Sequence, residues 1–309
     1  MTQTTGPCRV LLGIDGSEHS FAAAALLADL PLPPECQVTA LGVFLPREAS
    51  FHARLLPPLA KVKNDLEVRN IKVTTETIAG NPAEVLSEFA EKNDVDLIVL
   101  GAKGLRATLG IFLGGVAQQL IEYSNRPVLV VRAPYTGLEH VLLVTDGSSY
   151  SDQAITYLSR FPLPSKSRLT VLHVLPPYPF TDVTPVLSTW TPRHTNALLL
   201  EPMPGVEFKD IADEEEKKGK ALIERTILQI QQALPESCKE LSITGALRRG
   251  DAATEIIHYV ADHQVNLVIA GSRGLSQVQS WLLGSVSRKL VHYANCSVLI
   301  VRHQPPGER

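Results

Sequence analysis

Two kinds of element in this chain place carboxylates, glycines and hydroxyls at spacings suited to holding a phosphorylated ligand. Asp15-Gly16-Ser17 and Asp146-Gly147-Ser148 each follow an apolar run and precede a helical pattern. A carboxylate at the carboxyl end of a strand can accept hydrogen bonds from ribose hydroxyls; it can equally organise its own turn. The serine that follows suits a helix N-cap as well as a ligand. The second kind is glycine-rich. Gly271-Ser272-Arg273-Gly274 is followed after nine residues by Gly284-Ser285. Its first glycines come after a strand, where a tight turn needs a permissive backbone. Its last pair opens a helix, whose unpaired N–H groups and dipole favour phosphate. Ser285 and Ser287 add hydroxyls at that end and Arg273 adds charge. Turn glycines alone would need none of these neighbours, so the convergence favours a phosphate site.

Both kinds occur twice, because the chain repeats itself. Residues 10–20 and 141–151 share seven of eleven positions, and residues 101–132 and 271–302 share thirteen of thirty-two, both without gaps. The first pair is offset by 131 residues and the second by 170, so the second copy holds about 39 extra residues. Two domains, 1–135 and 136–309, account for this, with the insertion around 176–209. That insertion carries seven prolines with Tyr178, Phe180 and Trp190 in the stretch 176–209. It leaves from the ligand edge and reads either as a lid or partner surface or as an excursion packed on its own domain. In the first copy the glycine element is Gly101-Ala102-Lys103-Gly104, nine residues, then Gly114-Gly115. Gly115 and Ala117 stand where the second copy has Ser285 and Ser287. Two lost hydroxyl bonds, at roughly 0.5–1.5 kcal/mol each, weaken this site by one to two orders of magnitude unless Lys103 offsets them.

The elements that must position these residues alternate strand and helix. The runs 9–14, 37–45, 97–100 and 128–131 are continuous and apolar, as strands buried on both faces require, and 71–79 alternates. Residues 20–30, 82–92 and 115–123 have helical patterns, with Pro82 early, where proline is tolerated. The second copy repeats the order. After its insertion, residues 210–234 read as one amphipathic helix, with Leu222, Ile223, Thr226, Ile227 and Ile230 on one face and acidic residues four before Lys217, Lys218 and Lys220 on another. This predicts an α/β fold with a parallel sheet between helices and ligands bound beyond the carboxyl ends of the strands.

The motif G-x2-G-x9-G-[ST], complete in the second copy, together with Asp15 and Asp146 after the first strands, resembles a tandem universal stress protein of the nucleotide-binding type over nearly the whole chain. The resemblance implies two copies of a five-stranded, parallel-sheet, Rossmann-like domain of the adenine-nucleotide α-hydrolase kind. It implies adenine packed against the backbone at the end of the second strand, at Gly42-Val43 or His173-Val174. It implies pairing of the domains through the final strands, residues 127–132 and 297–302, within the chain or in a homodimer. The ligand it implies is ATP, with AMP or ADP as alternatives and Mg carried by the phosphates. The main ATP site is then Thr145, Asp146, His173, Val174, Gly271, Ser272, Arg273, Gly274, Gly284, Ser285, Val286 and Ser287. The weaker one is Ile14, Asp15, Gly42, Val43, Gly101, Lys103, Gly104, Gly114, Gly115 and Val116.

Other functions find less support. A net charge of −3 argues against a sequence-general nucleic-acid binder. No apolar run reaches the roughly 18 residues of a spanning helix, and residues 1–8 lack a signal segment. Four scattered cysteines, without C-x-x-C, point to a reducing cytoplasm rather than to disulfides or zinc. There is no Walker-type loop, G-x-S-x-G or H-E-x-x-H, and no evident general base beside the phosphate loop. The expected function is a nucleotide-binding stress regulator without catalytic residues or a protein-bound metal. The alternatives are a slow ATPase and a partner-binding chaperone with a vestigial nucleotide site. Trp281, between Gly274 and Gly284, has a ligand contact and an exposed or interface position as its two readings, the second favoured.

Overall fold

The computed structural model describes residues 9–45, 49–104, 113–178, 208–234, 241–274 and 283–302. Most of the insertion, and Trp281, lie outside the described residues. The first copy runs β1 (Arg9–Gly13), α1 (Glu18–Asp29), β2 (Gln37–Phe44), α2 (Ala49–Glu67), β3 (Lys72–Ala79), α3 (Pro82–Lys92), β4 (Leu97–Gly101), α4 (Gly115–Tyr123) and β5 (Val128–Val131). The second runs β6 (His140–Val144), α5 (Ser149–Leu158), β7 (Arg168–Leu175), α6 (Phe208–Ala233), β8 (Ser242–Arg249), α7 (Ala252–Asp262), β9 (Leu267–Gly271), α8 (Ser285–Tyr293) and β10 (Ser297–Val301).

The ten strands of the described residues join one sheet in the order β3-β2-β1-β4-β5-β10-β9-β6-β7-β8. Pairing is parallel throughout each copy and antiparallel only where β5 meets β10. The five parallel strands expected per copy are therefore present, and the final strands form the seam. Leu129 faces Leu299 across it, and these two leucines hold the same place in the repeat. The ladder therefore turns about a pseudo-twofold axis, as contacts inherited from two identical subunits would.

Helices cover both faces, which is why the strands read as unbroken apolar runs. One core cluster takes leucines and valines from β1, β6, β9 and β10 with α1, α2, α5 and α6. The other lies on the opposite face under α3, α4, α7 and α8. Both clusters pass through the seam, so the copies share their cores. Helix α2 contains Pro57 and Pro58, each removing a backbone donor from a helix interior. Leu55, Leu59, Val62 and Leu66 are nevertheless buried at helical spacing, and that packing sustains the helix through the prolines. In α6, Ile223, Thr226 and Ile230 are buried as the expected face. The Glu214–Lys218 and Glu216–Lys220 pairs close at 2.7 and 2.6 Å on its exposed side. Within each copy the order reverses between β1 and β4, and between β6 and β9. The crevice of an open α/β sheet lies at such a switch point, beyond the strand ends; here those ends carry Asp15 and Gly101, and Asp146 and Gly271.

Candidate functional site

The turns after β1 and β6 are built alike. Gly16 and Gly147 take φ of +82° and +77°, a left-handed conformation open mainly to glycine. Ser17 Oγ accepts the Ser20 N–H at 3.2 Å and Ser148 Oγ accepts the Ser151 N–H at 3.3 Å. Both serines are therefore N-caps. Asp15 Oδ1 accepts the Ser17 N–H at 2.9 Å, and Asp146 Oδ1 accepts the Ser148 N–H at 3.0 Å. One oxygen of each carboxylate thus organises the turn. The other is turned to the glycine loop: a Cβ on Gly104 would lie 2.6 Å from Asp15 Oδ2, and one on Gly274 would collide with Asp146 Oδ2. The second glycine of each G-x2-G element is bare because the strand-end carboxylate occupies its side-chain space.

The remaining glycines have other reasons. A Cβ on Gly101 would fall 2.5 Å from the His19 carbonyl carbon, and one on Gly271 2.5 Å from the Tyr150 oxygen. These glycines let the first turns of α1 and α5 cross the strand ends. Gly114 and Gly284 donate their own N–H groups to Ala102 O at 2.7 Å and Ser272 O at 2.8 Å. The helix-start donors left for an anion therefore begin at Gly115 and Ser285. Neither helix start has a side-chain cap.

Ser287 is buried and donates its hydroxyl to Gly271 O at 2.8 Å. A hydroxyl has one donor, so Ser287 ties α8 to the end of β9 and does not give that proton to a phosphate. Of the two hydroxyl donors expected, only Ser285 has no such internal commitment among the described hydrogen bonds. Arg273 Nη1 donates to the Tyr150 hydroxyl at 2.8 Å, with its guanidinium 5.3 Å from the ring, so the cation is braced by the first turn of α5. In the first copy Lys103 stands near His19, whose protonation is depressed first by burial and then by that lysine. His19 Nδ1 accepts the Ala133 N–H at 2.9 Å, which needs the ring neutral.

The second strands differ in a compensating way. His173 donates from Nδ1 to Thr145 O at 2.8 Å, and Gly219 of α6 leaves room for Leu247, Leu175 and the His173 ring, which lie 2.9, 3.1 and 3.2 Å from a notional Cβ. In the first copy Gly42 has the place of His173. Its notional Cβ would lie 3.2 Å from Leu55 and Leu59 of α2. Large and small have changed sides between strand and helix. Gly42 thus faces α2, while Val43 lines a cavity of about 820 Å³ at the first copy's strand edge. That cavity also takes Ile14, Asp15, Gly101, Lys103, Gly104 and Gly114 to Val116 into its wall. Its volume lies within the range of small-molecule sites.

Family comparison supports the architecture directly. The model of the universal stress protein family matches twice, over residues 8–132 and 137–302. The chain belongs to the universal stress protein family. It is 24% identical over 324 residues to a universal stress protein of Mycolicibacterium smegmatis, covering 98% of this chain and 99% of the relative. A universal stress protein of Methanocaldococcus jannaschii is 35% identical over 140 residues, covering 41% of this chain and 82% of its own. Among solved structures, one from Archaeoglobus fulgidus aligns with a TM-score of 0.62 at 18% identity, covering 97% of each chain. That likeness extends the fold across both copies.

In this universal stress protein the motif residues meet as a group at each strand edge, but several neighbours carry no motif signal. Leu41, Phe44, Leu55, Leu86 and Leu100 make the cavity wall apolar. The alternation of Leu41 with Val43 along β2 is the one sequence cue for them. His292 and Tyr293, from the end of α8 in the other copy, also line the first copy's cavity, and only the seam brings them there. The arginines ending the two final strands act in the same way. Arg132 donates to Val291 O at 2.7 Å and His292 O at 3.1 Å. Arg302 donates to Ile121 O and Glu122 O. Each final strand thus caps the helix of the opposite copy, where a cation meets the negative end of the dipole. Burial lowers the proton affinity of both arginines, that of Arg302 to about 10.

Proposed function

We propose that this universal stress protein binds ATP at the carboxyl strand edges of its two domains, 1–135 and 136–309, and acts as a nucleotide-responsive regulator. One observation carries the reading. In each copy the strand-end carboxylate lies against the second glycine of G-x2-G, and an uncapped helix start is tied to the same element through Gly114 and Ala102 O or Gly284 and Ser272 O. A ribose acceptor and a phosphate donor set thereby share one edge. The second domain has the full motif, with Ser285 at the helix start and Arg273 braced by Tyr150. Val174 and the His173 backbone would flank adenine, and Mg would arrive with the phosphates. AMP and ADP keep the base and ribose contacts and lose phosphate contacts, so ATP is the ligand the helix start favours.

Among the described residues no general base stands out at either loop, and we assign no catalytic role. Mass spectrometry of gently purified protein, for retained nucleotide, followed by calorimetric titration with ATP, tests the proposal. Retention of an adenine nucleotide, or saturable ATP binding lost in Gly284→Val, is the expected result. A chain that binds no nucleotide at millimolar ATP refutes it.

A further inference from the structure

The last turn of α8 closes one side of the first copy's cavity. His292 and Tyr293 line it together with Gly114, Gly115 and Gln118 of the α4 start. The antiparallel seam produces this arrangement, because it brings the end of one copy's last helix to the strand edge of the other. A helix end has orphan carbonyls and partial negative charge, and would repel a phosphate. Here Arg132 takes up Val291 O and His292 O, so the negative end is neutralised on the spot. What the turn then offers the cavity is side chains: an imidazole, with one N–H donor when neutral, and a phenol. Tyr293 is 59% exposed.

The same places in α4 hold Glu122 and Tyr123. Glu122 is 4.0 Å from Arg288 of α8, and Arg302 takes up its carbonyl. The copies therefore depart in opposite senses. The first lacks a hydroxyl at Gly115 and has an imidazole from across the seam; the second has Ser285 and a carboxylate from across the seam.

We infer that the first copy's site is completed by the second copy, with His292 and Tyr293 donating hydrogen bonds to the phosphate end of a nucleotide seated at Gly114-Gly115, in place of the hydroxyl that Gly115 lacks. The inference rests on the nucleotide reading above and assigns two specificity residues that lie outside the motif. Among the described residues nothing lies within 4 Å of a notional Cβ on Gly115, which leaves room for donors arriving from another element.

The test is calorimetry in a Gly284→Val chain, which silences the second copy, with ATP and adenosine as probes. His292→Ala combined with Tyr293→Phe should lower ATP affinity at the first copy about tenfold or more, the loss of two hydrogen bonds. Adenosine, which has no phosphate, should bind within twofold of the parent. Tyr123→Phe in the same chain should leave first-copy ATP binding unchanged. No loss for ATP, or an equal loss for ATP and adenosine, overturns the inference. So does an unaltered chain that binds ATP only at the second copy, which leaves the nucleotide reading standing. Binding at neither copy removes both.

Discussion

Gly274→Ala isolates the contact on which the site depends. Gly274 has no left-handed φ, so alanine brings no backbone strain, and among the described residues the obstacle it meets is the Asp146 carboxylate. That carboxylate cannot retreat freely, because Oδ1 holds the Ser148 N–H at 3.0 Å. Moving it forfeits a hydrogen bond to a charged group, roughly 1.5–3 kcal/mol. Moving Gly274 instead disturbs the nearby Ser272, whose carbonyl holds the Gly284 N–H at 2.8 Å at the start of the phosphate-donor helix. Either response lowers ATP affinity, by about tenfold or more if one charged hydrogen bond to ribose is lost. Asp146→Ala removes the obstacle. In that background Gly274→Ala should cost almost no stability, and the two changes should couple by about 1–3 kcal/mol in urea unfolding. Calorimetry with ATP on the same four proteins gives the binding half of the cycle. Stability effects that add to within about 0.5 kcal/mol would show that the carboxylate and the glycine loop do not constrain each other, and the assignment of Asp146 to this site would fall with them.

Other expectations follow from the same geometry. Asp146→Ala should weaken ATP by about 1–3 kcal/mol and leave inorganic triphosphate binding nearly intact, whereas Gly284→Val should abolish both; calorimetry with each ligand separates them. Gly115→Ser should strengthen ATP binding at the first copy by roughly 0.5–1.5 kcal/mol, since its side chain enters open space; an unchanged affinity in a Gly284→Val chain would count against an anion at that helix start. Arg302→Met should cost about 1.5–3 kcal/mol in urea unfolding by uncapping the end of α4, and a loss below 0.5 kcal/mol would show the cap to be idle. Burial is the leading cause that lowers the proton affinity of His19, His140 and His292 from the ordinary value of 6.5. The unfolded chain therefore binds more protons, stability is fully present above pH 6.5, and it falls as pH drops through the lower folded values. Urea midpoints at pH 7.5 and 5.5 check the sign, and a higher midpoint at pH 5.5 would contradict it.

What the sequence made legible is what depends on neighbours along the chain. The Asp-Gly-Ser turns, the G-x2-G loops and the apolar strands are local patterns, and they place Asp15, Asp146, Gly104 and Gly274 at the strand edges found in the structure. The role of Ser287 was not legible, because its hydroxyl could be offered to a ligand or spent on Gly271 O and the spacing suits both. Gly42 stands at the end of β2, where the expected adenine contact is through the backbone; that its side-chain position is filled by α2 while Val43 takes the cavity side, because side chains alternate along a strand, was not legible from the spacing. Helix α2 hides behind Pro57 and Pro58, although Leu55, Leu59, Val62 and Leu66 have its period. His292 and Tyr293 could not be found from motif spacing at all. They reach the first copy only through an antiparallel seam that joins residues 170 positions apart in the repeat.

Covalent duplication also explains why the two edges can differ. In a symmetric pair of identical chains, any residue at the seam appears on both sides at once. An imidazole at the place of His292 would then stand at both sites, and so would a glycine at the place of Gly115. In one chain each change occurs once and can be balanced once. Gly42 with Leu55 and His173 with Gly219 are two solutions to the same packing problem, and each fills its space without the other. Gly115 with His292 and Ser285 with Glu122 form a second such pair, now in charge and hydrogen bonding rather than volume. Arg132 and Arg302 have not diverged, because each neutralises a helix end that the fold itself places beside the opposite copy. The seam is therefore conserved between the copies where it holds the sheet together and differs where it faces a ligand edge.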